Sequence, residues 1–93
     1  MLELLFHLRE FVDFCVPCPP EPKRVLINKI ELAISQFEKD NERPTVNALR
    51  SFMHKTEQFV RSGKLPEAEG RRFIALTEEI ISAVEAGETA PER

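Results

Sequence analysis

Apolar residues recur along this chain with the 3.6-residue period of an α-helix, and no stretch alternates with period two for long enough to make a strand. Four helical segments follow from the punctuation. The first runs from about Leu2 to Val16, with Leu4, Leu8, Phe11 and Cys15 on one stripe, Leu2, Leu5 and Val12 beside it, and Phe6 and Phe14 widening the apolar surface. Pro17, Pro19, Pro20 and Pro22 stop it, because proline cannot donate a helix bond and holds the preceding residue extended. Pro22 suits the first position of the next helix. That second segment runs to about Asp40, with Leu26, Ile30, Ala33, Ile34 and Phe37 facing inward and Asn41 as its left-handed terminator.

The third segment spans about Pro44 to Ser62, carries the stripe Leu49, Phe52, Met53, Thr56, Phe59 and Val60, and stops at Gly63. The fourth spans Pro66 to about Ala86, with Phe73, Leu76, Thr77, Ile80, Ile81 and Val84 inward and Gly87 at its end. Glu67 and Glu69 fall in its first turn, where the helix dipole favours acids. Gly70 lies on its apolar side, where glycine costs about 1 kcal/mol against alanine. The use expected for it is close approach of a neighbouring backbone. Short connections make sequential helices antiparallel neighbours. The expected fold is therefore all-α, a compact up-and-down bundle of four helices over residues 1–87, with a loose tail over 88–93.

Composition narrows the function without naming it. The 93 residues make one domain, and 42% apolar with 31% charged residues argues against wholesale disorder. No apolar run reaches the roughly 18 residues of a membrane span. Three glycines exclude a glycine-rich phosphate loop. A net charge of −3 argues against nucleic acid as a partner. That average conceals a pattern: residues 43–72 carry seven basic and three acidic side chains, net +4, between an amino-terminal stretch of net −3 and a carboxy-terminal stretch of net −4. The start Met1-Leu2-Glu3-Leu4 is acidic at once and lacks a small-residue cleavage site, so no signal peptide is expected in it.

The residues that bear chemistry point to binding more than to catalysis. Cys15 and Cys18 form a C-x-x-C at the end of a helix, where the dipole disfavours a thiolate, and no βαβ pattern surrounds them. They read as buried thiols, or as a local disulfide in an oxidising compartment. His7 and His54 are the only other soft ligands, and without a second C-x-x-C neither metal nor other cofactor is expected. On the third segment His54 and Arg61 fall within about 40° of Arg50. Lys64 follows at the helix end, and Arg71 and Arg72 open the next helix, which gives a basic rim at the corner of the third and fourth segments. No nucleophile and base pair stands out, so an enzyme is not expected.

The chain also resembles a known family. Asn47-Ala48-Leu49-Arg50-Ser51-Phe52-Met53, then Ser62-Gly63-Lys64-Leu65, then Phe73-Ile74-Ala75 with Glu79-Ile80-Ile81, and Leu26 to Ala33, are similar to motifs of the FIMAH domain. The resemblance covers about Leu4 to Val84, with Gly70 standing where that family usually has alanine. It implies a bacterial helical module, found at the end of larger secreted or cell-surface proteins, that binds under-sulfated glycosaminoglycan. The site expected for an acidic polysaccharide comes from the charge map: Arg50, His54, Arg61, Lys64, Arg71 and Arg72. The alternative is a helical interaction or assembly subunit, docking on a protein partner or on itself through Leu4, Leu5, Phe6, Leu8, Phe11 and Phe14.

Overall fold

The computed structural model describes residues 2–15 and 18–86. Its elements are four helices: α1 (Leu2–Asp13), α2 (Pro20–Glu38), α3 (Glu42–Arg61) and α4 (Glu67–Glu85). α1 packs on α2, α2 on α3, α3 on α4, and α4 closes back on α1, while the backbones of the diagonal pairs stay apart. This is the ring of an up-and-down four-helix bundle. The expected tail and the Gly87 stop lie outside the described residues.

The core fills the centre of the ring. Leu5, Leu8 and Val12 of α1, Leu26 and Ile30 of α2, Leu49 and Phe52 of α3, and Phe73 and Ile80 of α4 are all fully buried. Each large apolar side chain withdrawn from water contributes about 1.5–3 kcal/mol before entropy is charged against it. Phe73 is the hub: Phe11 meets its ring edge-on at 5.5 Å, and Phe52 lies tilted against it at 6.4 Å. Three threonines share this core without an unsatisfied hydroxyl. Thr45, Thr56 and Thr77 each donate to the carbonyl four residues back, at 2.7, 2.8 and 2.7 Å.

The helix ends show how the chain turns. After α3, Gly63 adopts φ +78°, the Gly63 N–H donates to the Val60 carbonyl and the Lys64 N–H to the Phe59 carbonyl. This pair of bonds is a Schellman cap. α2 ends the same way, with Asp40 and Asn41 donating to Phe37 and Gln36. There the left-handed residue is Asp40 at φ +61°, not Asn41, which instead precedes α3 at φ −95°. α2 also starts two residues before the expected Pro22, because Pro19 caps it and Pro20 takes the first turn; Pro22 is buried.

α1 requires the main correction. It ends at Asp13, and its buried line is Leu5, Leu8 and Val12. Leu5 and Leu8, expected to face a partner, are core residues, and Phe11 is half-buried against Phe73. Leu4 (41% exposed), Phe6 (39%) and Phe14 (75%) do remain at the surface. Gly70 allows a close approach as expected, but what approaches is the Val60 side chain of α3 and not backbone.

Candidate functional site

The expected binding residues lie on the flank where α3 meets α4. Helix geometry puts Arg43, Arg50, His54, Glu57 and Arg61 along one edge of α3, because offsets of seven, four, three and four residues return to nearly the same direction. Glu67, Arg71, Glu78 and Glu85 form the opposing edge of α4. Between them runs a groove of three adjoining hollows. The middle one, about 550 Å³, has Met53, Ile74 and Ile81 among its lining. It shares Arg50 and Glu85 with a hollow of about 520 Å³ at the start of α3, and Glu57 and Ile74 with one of about 230 Å³ at the α3–α4 corner.

The structure divides the predicted set. Arg50 stands eleven residues before Arg61, about 16 Å along the helix. Its guanidinium donates to Glu85 at 3.1 Å, at the far end of α4 from the corner. His54 lies in the middle hollow and shares a hydrogen bond of 3.2 Å with Gln58, one turn on. Arg61 and Arg71 do come together in the corner hollow, with Lys64 in the turn that joins their helices. Arg71 is held by Glu67 at 2.6 Å. Arg72 does not line the groove: two residues beyond the inward Gly70, it points some 200° away from it.

The carboxylates decide the electrostatics. Glu57, Glu67, Glu78 and Glu85 all line the groove, so the positive middle third of the sequence does not become a positive face. Among the described residues, Arg61, Lys64 and Arg72 have no ion-pair partner. Glu57 shares the α3 stripe and is legible in the sequence as a partial neutraliser; Glu78 and Glu85 were missed because they belong to a later stretch of chain, brought opposite by the antiparallel packing. The periodicity of Glu67, Glu78 and Glu85 at near-helical offsets was the available signal.

His54 has an amide neighbour and no carboxylate bond, and among the described residues no group of three or more His, Cys, Asp or Glu is placed to hold a metal ion. Cys15 and Cys18 are joined as a disulfide, each 6% exposed, so neither is a free thiol. No helix among the described residues is long and apolar enough to cross a membrane. No protein-family model matches this chain, and no curated protein or solved structure matches it.

Proposed function

We propose that this chain is a non-catalytic binding module that holds an acidic, under-sulfated polysaccharide at the α3–α4 corner. The observation that carries this is the corner hollow, where Arg61 and Arg71, with Glu57 and Glu67 beside them, flank a small apolar surface of Val60, Gly70 and Ile74. A guanidinium meets a uronate carboxylate through two parallel hydrogen bonds, and an apolar patch between two such groups suits the C–H face of a sugar ring. Lys64 adds charge in the turn that joins the two helices. Glu67 holds Arg71 in an exposed pair, and such pairs contribute only about 0–1 kcal/mol, so a ligand carboxylate displaces it at little cost. The resemblance to the FIMAH domain supports the ligand class. Binding of this kind is weak and sensitive to salt.

The test is an NMR titration with hyaluronan and unsulfated chondroitin fragments at low and physiological salt. Shifts at Arg61, Lys64 and Arg71 that shrink with salt support the site, and Glu67→Gln tightens binding while Arg61→Ala with Lys64→Ala weakens it at unchanged helicity. Absence of shifts at both salts refutes the reading. A second reading, docking on a protein through α1, is favoured by Phe14, three-quarters exposed, with Leu4 and Phe6 near 40%. A solution mass that stays monomeric over a wide concentration range removes the self-association form of it.

A further inference from the structure

We propose that the Cys15–Cys18 disulfide is a redox-controlled latch on α1: its reduction frees α1 from the bundle while α2, α3 and α4 stay folded. The inference does not depend on the ligand proposed above. The bond sits between the end of α1 and Pro19, the residue that caps α2. It joins residues only three apart, so it restrains the unfolded chain little by loop closure, and its action is local. Both cysteines belong to the core cluster that contains Val12.

Beyond Val12 in the core and Phe11 against Phe73, this end of α1 is tied by hydrogen bonds at the turn. The Cys15 N–H donates to the Val12 carbonyl at 3.2 Å, the Cys18 N–H to the Cys15 carbonyl at 3.4 Å, and the Lys23 ammonium to the Asp13 carbonyl at 2.9 Å. α1 is the shortest helix, 12 residues against 19 or 20 for the others. Twelve residues lie at the lower edge of what a helix sustains alone, so α1 keeps its shape only while docked. The α2–α3 and α3–α4 contacts are made without it. Two free thiols need more van der Waals room than a bonded pair, and α1 is the shorter of the two helices that the bond lies between.

The chemistry balances with a dithiol as co-reactant. One reductant thiolate attacks a cysteine sulfur and forms a mixed disulfide, and the other cysteine leaves as a thiolate and takes a proton. The reductant's second thiolate then displaces the protein sulfur, which is protonated in turn, and the reductant departs as its own disulfide. Two electrons and two protons pass to the pair. Because both cysteines are buried, each 6% exposed, attack requires the end of α1 to open.

The experiment is hydrogen exchange on the whole chain in native buffer, oxidised in air and then reduced with dithiothreitol, with thiols counted in each state. The oxidised protein is expected to show no titratable thiol. After reduction both cysteines titrate, amides of Leu5 to Val12 exchange roughly tenfold faster or more, and those of α3 change by less than about threefold. Cys15→Ala with Cys18→Ala reproduces the reduced pattern without reductant. The latch is refuted by equal protection of α1 in both states, by equal acceleration of all four helices, or by two free thiols in the air-oxidised protein.

Discussion

Gly70→Ala tests how closely α3 and α4 are packed beside the proposed site. A methyl group at position 70 lies 2.5 Å from Val60 Cγ2, 3.5 Å from Thr56 Cγ2 and 3.7 Å from Leu65 Cδ2. Carbon atoms attract best at about 3.5–4.0 Å, so the last two contacts are ordinary and the first overlaps by about 1 Å. Val60 is β-branched, with one strongly preferred rotamer in a helix, and it yields only if the backbones part. Overpacking of this size costs about 1–3 kcal/mol. Replacing a mid-helix glycine by alanine returns about 0.8–1.0 kcal/mol. The net is a loss of about 1 kcal/mol, a fall in Tm of roughly 4–8 °C for a domain this size. The assay is a thermodynamic cycle by thermal and urea denaturation of Gly70→Ala, Val60→Ala and the pair. Val60→Ala removes the offending methyl, so the double variant is expected to be more stable than additivity allows by about 1 kcal/mol or more. A stabilised Gly70→Ala with strictly additive energies refutes the argument. Because Gly70 and Val60 both line the corner hollow, the same variants also report on ligand binding.

Three further outcomes follow from particular residues. Asp40→Gly raises the urea midpoint by about 0.5–1 kcal/mol equivalents at unchanged slope, since it removes an αL penalty of about 1–2 kcal/mol and an acid at a helix C-terminus, less the entropy of glycine; a lower midpoint contradicts this. Gly63→Ala at φ +78° lowers stability by about 1 kcal/mol although open space surrounds it, and an unchanged melt would show that the cap relaxes instead. Thr56→Val changes stability by less than about 1 kcal/mol in either direction, because the Phe52 carbonyl loses a second donor while the methyl gained is fully buried; a loss above about 2 kcal/mol would mean that the hydroxyl supports more than its own helix.

The inner faces of α2, α3 and α4 were legible because each is amphipathic and bounded by proline or glycine. Leu26, Ile30, Leu49, Phe52, Phe73 and Ile80 are buried where periodicity puts them. α1 was not, for a physical reason: a helix apolar around most of its girth permits several stripes, and only its neighbours decide among them. The line through Leu4 and Phe11 competes with the line through Leu5 and Val12, and meeting both α2 and α4 selects the second. The ends of α2 were misplaced by one or two residues because its turns are capped by backbone bonds, with no side-chain cap to read.

Charge failed to transfer for a related reason. Summed along the chain, residues 43–72 carry a net +4, yet an antiparallel bundle pairs α3 with a helix whose later half is acidic. Arg50 therefore meets Glu85, and the middle of the groove meets Glu78, whereas the corner joins α3 to the start of α4 through a short turn and gathers Arg61, Lys64 and Arg71 with two acids, Glu57 and Glu67, the second already engaged by Arg71. An acidic chain entering this groove gains attraction only at that end. The salt dependence of its binding should thus be shallow, set by two or three cations and not by the five that the sequence offered. A steep dependence would mean that the ligand runs past the corner and opens the Arg50–Glu85 pair, which Glu85→Gln would then make visible as tighter binding.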